Sequence, residues 1–323
     1  MMTTTAPPPG AHLGLTWRAL TAADVDTAAD LADRAEAVDR SLHPFTRGRI
    51  EDLLLSPGTE PEHDSLAGFD GAGVLRAAGL LQVEPSHPRV MLWATLDPAW
   101  RGRGVGRALL GWQEGRAREI LSAAPGRRGR IGVLVDEHLA DRRRMCVAAG
   151  YAPTRTVHNL ELPLPVDQGS AAPGRAIAAE PAGLRIVAWY PSAGDGARAV
   201  HDVAFDTAAA QDPQTWSGLL RRLRPAWSFV ALDGGDVVGF VISSHDPELG
   251  DGRVAYTDLL AVRPDRAGAG IGRALLTTAL HAYSADDMDV ARLDVDARNP
   301  ARDLYAGLGY RLRGSGVLYS IEL

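Results

Sequence analysis

The sequence contains one loop motif twice. Residues 95–110 read T-L-D-P-A-W-R-G-R-G-V-G-R-A-L-L, and residues 261–276 read A-V-R-P-D-R-A-G-A-G-I-G-R-A-L-L. In each copy an apolar run leads to a proline, then to an Arg/Gly-rich loop, and then to a helix that opens on Ala-Leu-Leu. The spacing from Pro98 to Gly104 equals the spacing from Pro264 to Gly270, so the copies align without a gap. The chain therefore predicts a duplicated strand–loop–helix unit.

The repeated loop has the composition of a phosphate site. The first amide groups of a helix lack acceptors and the helix dipole favours a negative charge, so anions bind there. Glycine lets phosphate oxygens approach the backbone closely. A single Gly-x-Gly is equally typical of an ordinary tight turn. Neither copy has the third glycine of a dinucleotide loop or the Lys-Ser/Thr of a nucleoside-triphosphate loop. The repetition in one context favours phosphate binding.

Composition narrows the class of protein. A chain of 323 residues predicts two domains of roughly 150 residues each. The hydrophobic content of 46% and charged content of 23% are ordinary for a globular protein. A net charge of −6 lacks the basic character of a nucleic-acid binder, so no nucleic-acid partner is expected. The single Cys146 excludes an intramolecular disulfide and a cysteine-rich metal site, and no metal is predicted.

The N-terminal residues predict neither export nor a membrane anchor. Residues 1–12 are polar and Pro-rich, without a charged-then-apolar signal pattern, and are expected to be disordered. No uninterrupted apolar run approaches the roughly 20 residues that cross a bilayer. We therefore expect a cytoplasmic protein with no membrane partner.

The order of strand-like and helical runs repeats on both sides of one segment. Residues 163–183 carry Pro, Gly and Ala without lasting periodicity, which predicts a linker. We expect an N-terminal domain over 13–162 and a C-terminal domain over 184–323. Each copy reads roughly β-α-α-β-β-β-α-β-α-β-β, an α+β unit. Tyr151–Leu162 is predicted to close the first copy, and a pair of strands over Tyr310–Leu323 to close the second.

This order, with R-x-x-G-x-G before the third helix, resembles the GNAT superfamily of acyl-CoA-dependent acyltransferases. Residues 101–106 match the pyrophosphate loop of that family directly. The second copy departs from it, because Ala267 stands where the family has Arg or Gln and Arg266 comes one place early. Residues 299–310 resemble the family signature N-P-A-x-x-L-Y-x-x-x-G-F/Y. The resemblance spans the chain outside the tail and linker.

The chain is most similar to the tandem two-domain GNAT proteins of actinobacteria, a group that includes mycothiol synthase. This resemblance implies two GNAT-like domains, each with a mixed, mostly antiparallel sheet flanked by helices. It implies acetyl-CoA as co-substrate and a fourth strand that splays from its neighbour to receive the pantetheine arm. The residues it assigns to coenzyme A are, in the second half, Leu260, Ala261, Val262, Gly268, Ala269, Gly270, Ile271, Gly272, Arg273 and Asn299, and, in the first half, Arg101, Gly102, Arg103, Gly104, Val105, Gly106 and Arg107.

The resemblance also assigns the proton transfers of catalysis. Tyr305 lies where the family places the acid that protonates the leaving thiolate. Asp258 lies inside an apolar strand, where a carboxylate is costly unless it is paired or used, and is the candidate base. Asp294 and Asp296 alternate on the next strand and compete for that role. His245 is a further candidate, although a His after a strand is typical of a plain loop.

The first half lacks the corresponding chemistry. Aligning the Gly-Tyr pairs that follow the last helices places Cys146 at the position of Tyr305 and Ala140 at that of Asn299. The loop spacing places Leu92 at the position of Asp258. Cys146 is interpreted as a small buried hydrophobic residue. The second half is therefore predicted to be catalytic, and the first to bind coenzyme A or to act as a scaffold.

Three functions agree with these observations. The first is an acyl-CoA-dependent N-acetyltransferase that acts on the primary amine of a small molecule rather than of a protein. The second is a non-catalytic acyl-CoA-binding protein, which the Ala267 substitution favours. The third is an enzyme of the mycothiol-synthase type, whose acceptor is a thiol-bearing pseudodisaccharide.

Overall fold

A computed structural model describes residues 7–55, 60–84, 88–123, 129–164, 183–205, 213–245 and 253–323. The chain divides into two compact units. Unit 1 comprises Met1–Thr156 with Ser315–Leu323, and unit 2 comprises Val157–Gly314. Each unit combines a mixed sheet with flanking helices, which confirms the predicted α+β class.

The sheet of unit 1 has the strand order β1-β2-β3-β4-β5-β12. All pairings are antiparallel except β4 with β5, which is parallel. The elements are β1 (Thr16–Arg18), α1 (Val25–Asp39), α2 (Arg47–Leu55), α3 (Pro61–Asp64), β2 (Ser65–Phe69), β3 (Leu75–Glu84), β4 (Arg89–Leu96), α4 (Val105–Ser122), β5 (Arg130–Asp136), α5 (Ala140–Ala148), the start of β6 (Ala152–Pro163) and the end of β12 (Arg311–Glu322).

Local sequence explains how the first helix starts and what it buries. Thr21 and Asp24 form the capping box that their spacing predicts. The apolar residues of α1 then recur at helical spacing and face the sheet in one core cluster with α2. A second cluster lies under α4 on the opposite face. Unit 1 is therefore a sheet with helices on both faces.

Unit 2 repeats this arrangement, with strand order β6-β11-β10-β9-β8-β7. One core cluster lies under α8 and α9, and another lies under α6 and α7. Only β10 and β11 pair in parallel. The elements are β7 (Leu184–Ala188), α6 (Ala193–Ala204), α7 (Pro213–Arg222), β8 (Phe229–Asp233), β9 (Asp236–His245), β10 (Val254–Val262), α8 (Ile271–Ala285), β11 (Val290–Asp296) and α9 (Arg302–Leu308).

The closing strands are exchanged between the two halves of the sequence, contrary to the predicted domains 13–162 and 184–323. The end of β6 pairs with β11, where Leu162 lies opposite Ala291. The end of β12 pairs with β5, where Val317 lies opposite Val135. The predicted strand pair at the C-terminus is the single strand β12. Residue patterns show which face of a strand is buried but not which strand lies beside it, because either sheet offers an equivalent edge.

The predicted linker and tail fall largely outside the described residues, at 165–182 and 1–6. Within the described part of the tail, Ala11–Leu13 form a 3-10 turn. No described helix is long and apolar enough to cross a bilayer.

The strand exchange is testable by paired substitutions. Leu162 belongs to the first half of the sequence but packs in the core of unit 2. Leu162→Ala should destabilise unit 2 by about 2–5 kcal/mol and speed amide hydrogen exchange in β11 while β5 keeps its wild-type rate. Val317→Ala should instead destabilise unit 1 and speed exchange in β5 while β11 keeps its wild-type rate, because Val317 packs in the core of unit 1. Faster exchange of β5 in the Leu162 variant would contradict the exchanged topology.

Candidate active site

Both repeated loops adopt one backbone conformation. A 3-10 turn at Pro264–Arg266 precedes the loop of unit 2, as Pro98–Trp100 precedes that of unit 1. Gly102 and Gly104 have φ of 76° and 87°, and Gly268 and Gly270 have 79° and 80°. These left-handed values require glycine or a strained substitute. The sequence alignment of the two copies is thereby confirmed in three dimensions.

The loop of unit 2 presents backbone amides to solvent. Residues 264–270 are all exposed. Gly270 is the N-cap of α8 without a side-chain cap, and the first regular turn closes at Ala274, which donates to Gly270 O at 3.0 Å. The amides of Gly268 and Gly270 find no backbone acceptor among the described residues. A Cβ on either glycine would point into open space, where a phosphate can approach. The cradle therefore fits a pyrophosphate.

In unit 1, side chains from other parts of the unit contact the loop. The guanidinium of Arg101 donates to both oxygens of the buried Asp39 carboxylate, at 2.7 and 2.9 Å. Arg142 donates to the same carboxylate at 2.6 Å. A Cβ on Gly104 would lie 3.7 Å from Leu13, so the N-terminal 3-10 turn covers this glycine. The Arg101 side chain is thus held within unit 1, and its predicted contact with coenzyme A stays a prediction, as do those of residues 102–107.

The parallel strands separate where the resemblance predicts an opening. Pairing of β10 with β11 runs from Val254 to Thr257 and goes no further, although β10 continues to Val262. Leu260 and Val262 therefore lie on the part of β10 that β11 does not cover. The same happens in unit 1, where β4 pairs with β5 only over Arg89–Met91.

A β-bulge distinguishes β10 from its counterpart in unit 1. Thr257 pairs with Ser243 and Leu259 with Ile242, so Asp258 is the extra residue. No such shift interrupts the pairing of β3 with β4, where Leu92 lies opposite Leu81. Once Asp258 is left out as the extra residue, the strand pairings place Leu92 at the position of Thr257. The predicted equivalence of Leu92 with Asp258 is wrong, because the bulge adds a residue that spacing alone cannot show.

The Asp258 side chain is half-buried, and its carboxylate is only partly satisfied. Its Oδ2 atom is inaccessible and has no hydrogen-bond partner among the described residues. Burial raises the pKa of Asp258 to about 6, while the Ser244 hydroxyl and the charge of Arg222 oppose that rise. This carboxyl is ionised at neutral pH and can accept a proton near it.

Tyr305 lies in the core of unit 2 on α9, where it is 8% exposed. Its ring packs edge-on against Tyr310, with centroids 6.0 Å apart. Its hydroxyl forms no hydrogen bond with any described residue. Burial raises the pKa of Tyr305 to about 12, so the phenol stays protonated at neutral pH. Its neighbour Leu304 would lie 3.6 Å from a Cβ on Gly272, which places α9 beside the first turn of α8.

The other predicted site residues have local roles. Asn299 accepts the amide of Ala301 at 2.8 Å and so caps the turn before α9. Asp296 accepts the amide of Arg298 at 2.7 Å in the same turn. Arg273 donates to Gly307 O at 3.4 Å and connects α8 with α9.

The competing bases lie in other surroundings. Asp294 is exposed and accepts the amide of Asn159 at 2.9 Å. Burial raises the pKa of Tyr256 well above its ordinary value, and the charge of Asp294 raises that pKa further. The ring of His245 packs edge-on against Trp227, with centroids 5.7 Å apart. Of the candidate bases, only Asp258 has a buried oxygen atom that lacks a hydrogen-bond partner among the described residues.

Cys146 occupies the position of Tyr305 in unit 1, as the sequence predicts. Tyr151 donates its amide to Cys146 O at 3.0 Å, as Tyr310 does to Tyr305 O at 3.1 Å. The thiol is buried in the core of unit 1, and burial raises its pKa to about 11. A thiol in such surroundings is inert.

Several known proteins are similar to this chain in sequence, in fold or in both. Residues 197–310 match the family model described as Acetyltransferase (GNAT) family. A mycothiol acetyltransferase from Frankia alni is 31% identical over 94% of this chain and 94% of its own length. A mycothiol acetyltransferase from Streptomyces avermitilis is 30% identical over 97% of each chain.

Among solved structures, a tandem GNAT protein from the clavulanic acid biosynthesis pathway gives a TM-score of 0.74 at 19% identity, over 95% of this chain and 98% of its own. A GCN5-related N-acetyltransferase from Sphaerobacter thermophilus gives 0.75 at 19% identity, over 95% of both. At these identities the structural likeness shows the fold alone.

The family model and the relatives that span almost the whole chain identify an acyl-CoA-dependent N-acetyltransferase, which agrees with the fold and the loop geometry. The chain belongs to the GNAT family, in its tandem, mycothiol-synthase-like form. The members of this family use acetyl-CoA as co-substrate. The alternative of a non-catalytic binding protein is therefore set aside.

Sequence reasoning missed the residues that surround Asp258. Ser244 bonds to its carboxylate, and Tyr283 donates to or accepts from Ser243 and Thr257 beside the bulge. The available signal was the pair Ser243-Ser244 at the end of an otherwise apolar strand, together with the polar pair Thr257-Asp258 in the next strand. That pattern shows polar residues in a core but not which of them meet.

The raised pKa of Asp258 predicts a pH-dependent stability. An unfolded carboxyl titrates near pH ~4, so wild type loses stability as the pH rises from there through about 6. Asp258→Asn should be more stable than wild type at pH 8, by up to about 3 kcal/mol. The difference should vanish as the pH falls from about 6 to about 4. Urea unfolding across this range measures it.

Asp24→Asn is the control of opposite sign. Hydrogen bonding to Arg18 lowers the pKa of Asp24 to about 2. This variant should be less stable than wild type at pH 8, and the deficit should shrink only below about pH 4. A constant difference between wild type and Asp258→Asn across the range would contradict a buried, titrating carboxyl at Asp258.

Proposed function

We propose that the chain transfers an acetyl group from acetyl-CoA to the primary amine of a small molecule, and that unit 2 catalyses the transfer. The observation that carries the proposal is the buried Oδ2 of Asp258, which has no hydrogen-bond partner among the described residues and lies at the point where β10 leaves β11. A base at that point adjoins the opening that receives the thioester. Unit 1 has no residue at the corresponding bulge position, since β4 has no bulge there.

Donor binding relies on backbone groups of unit 2. The exposed amides around Gly268 and Gly270 hold the pyrophosphate, which explains why Ala267 is tolerated where relatives of the family carry Arg or Gln. The uncovered backbone of Leu260–Val262 offers donors and acceptors to the pantetheine arm and to the thioester carbonyl. The carbonyl oxygen gains charge in the transition state, and a fixed amide stabilises that charge more than the ground state.

Two proton transfers complete the reaction. Asp258 removes a proton from the ammonium of the acceptor, directly or through water, and the neutral amine attacks the thioester carbon. The tetrahedral intermediate then collapses, the C–S bond breaks, and the thiolate leaves. Tyr305 donates its hydroxyl proton to that thiolate. The Tyr305 side chain and the Oδ2 atom of Asp258 are both buried, so charges interact more strongly there than in water.

We infer further that the acceptor is the amine precursor of mycothiol. Two relatives that span almost the whole chain carry the name mycothiol acetyltransferase. The face of unit 2 that bears Asp258 is also lined with polar side chains on β6, β10 and β11, such as Asn159, Tyr256 and Asp294, which suit a hydroxyl-rich acceptor.

The acceptor is tested by competition. Full-length protein is incubated with acetyl-CoA and an equimolar mixture of the mycothiol precursor, glucosamine and a lysine peptide. Mass spectrometry counts acetyl groups on each, because an acceptor thiol would confuse a thiol reagent. We expect acetylation of the precursor amine at least about tenfold faster than of the others, as expected for a site that pairs with the hydroxyls of its substrate. Preferential acetylation of the peptide would contradict a small-molecule acceptor.

Tyr305→Phe should separate turnover from binding. The substitution removes a proton donor that acts only as the thiolate leaves, so kcat should fall by roughly 10²–10⁴-fold while the Kd for acetyl-CoA stays unchanged. Stopped-flow turnover and calorimetry measure the two quantities. Cys146→Ala is the matched control at the equivalent position of unit 1 and should keep the wild-type kcat. Loss of activity in the Cys146 variant, with wild-type turnover in the Tyr305 variant, would move catalysis to unit 1.

A further inference from the structure

Three buried hydroxyl groups meet in the core of unit 2. Tyr283 projects from α8, and its Oη lies 2.5 Å from Ser243 Oγ and 3.0 Å from Thr257 Oγ1. Tyr283 and Ser243 have no solvent exposure, and Thr257 has 4%. Because each hydroxyl has one donor and can also accept, the Tyr283 hydroxyl can donate to one partner and accept from the other.

This hydroxyl cluster lies directly beside the bulge. Ser243 and Thr257 are opposite each other on β9 and β10, in the last regular pair before the register shifts. Asp258, the extra residue, follows Thr257 directly. The hydroxyl of Tyr283 therefore fixes both strands at the edge of the bulge, and it does so from the helix that begins at the phosphate cradle.

Tyr283 is itself held in place. Its ring packs edge-on against the fully buried Trp227, with centroids 5.2 Å apart. The indole of Trp227 donates to Asp286 at 2.8 Å, one turn beyond Tyr283 on the chain. On the other side, Ser243 donates its amide to Ser228 Oγ at 3.0 Å. The cluster is thus packed and hydrogen-bonded to its surroundings on both sides.

Unit 1 provides an internal comparison. The positions of Ser243 and Thr257 are taken there by Leu81 and Leu92, which lie opposite each other, and the loop spacing places Ala117 at the position of Tyr283. All three are buried in the apolar core of unit 1. The pairing of β3 with β4 is regular throughout. The hydroxyl cluster, the bulge and the buried acid occur together in unit 2, and all are missing from the described counterpart in unit 1.

We propose that Tyr283 is a positioning residue, whose hydroxyl holds the bulge of β10 so that Asp258 stays beside the opening between β10 and β11 with its Oδ2 atom buried. The proposal rests on the proposed function, in which Asp258 takes the proton from the acceptor. A bulge lacks part of the ladder of hydrogen bonds and is held by its surroundings. Without the Tyr283 hydroxyl, Ser243 and Thr257 would each lose a buried partner, and the strands would shift to satisfy them.

That shift has a defined consequence for Asp258. Its carboxylate would gain contact with water, so the burial that raises its pKa would weaken and the pKa would fall toward that of an ordinary carboxyl. The base would also be displaced from the ammonium. Displacement by about 1 Å can cost up to roughly 10²-fold in rate. A purely structural role for Tyr283 would lower stability and the amount of active enzyme but would not move a pKa.

The experiment measures kcat/KM for the acceptor against pH in the full-length protein. Tyr283→Phe should lower kcat/KM by roughly 10- to 100-fold and move the acidic limb to lower pH, with the KM for acetyl-CoA unchanged. Thr257→Val should reproduce both effects, and Thr257→Ser, which keeps the hydroxyl, should restore the wild-type profile. Tyr319→Phe is the control, because it removes another buried tyrosine hydroxyl, bonded to Arg143 at 3.2 Å in unit 1.

The outcomes separate this proposal from the proposed function. Asp258→Asn, measured in parallel, should abolish the acidic limb. If Asp258→Asn keeps the wild-type rate and profile, Asp258 is not the base and the proposed function fails at that residue. If Asp258→Asn is inactive while Tyr283→Phe keeps the wild-type acidic limb, or if Thr257→Ser behaves like Thr257→Val, the positioning role of Tyr283 is overturned.

Discussion

The parallel pairing of β10 with β11 stops at Thr257, and the candidate site depends on that break. Beyond it, the backbone of β10 has a partner on only one side, and the uncovered groups face an opening between the strands. A sheet tolerates such a break because α8 and α9 pack under both strands in one core. The loop that follows β10 turns its amides outward at the N-terminus of α8. The phosphate cradle and the opening are thus consecutive parts of one strand–loop–helix unit.

The two units have kept the same cradle and diverged around it. Both have paired left-handed glycines and a helix without a side-chain cap. In unit 1, the Asp39 carboxylate joins Arg101 and Arg142, and Leu13 covers Gly104. In unit 2, the cradle is exposed and polar groups surround the bulge. Backbone geometry survives substitution because it rests on glycine conformation, whereas the chemistry rests on individual side chains.

The exchange of closing strands has a consequence for any dissection of this protein. Unit 1 includes Ser315–Leu323, and unit 2 begins at Val157, so a cut within the predicted linker leaves each half without its closing strand and with a strand that belongs to the other. An unpaired strand edge exposes backbone donors and acceptors and invites aggregation. Full-length variants are therefore the suitable material for assigning function to one unit.

The sequence by itself determined the duplication, the α+β class, the two loops and the positions of Asp258 and Tyr305. These features follow from local sequence patterns, namely glycine where φ is positive, proline at turns, and apolar residues at the period of a helix or a strand. Asp258 was recognisable as a candidate base because a carboxylate in an apolar strand is costly wherever that strand lies.

Only the tertiary structure decided which strands lie side by side, where β10 bulges, and which hydroxyls meet at Tyr283. Strand pairing, register shifts and contacts between distant residues such as Ser243 and Tyr283 depend on the competition among all available partners. That competition has no signature in any single segment. The family to which the chain belongs can therefore be read from local pattern, whereas the setting that gives Asp258 its raised pKa required the assembled core.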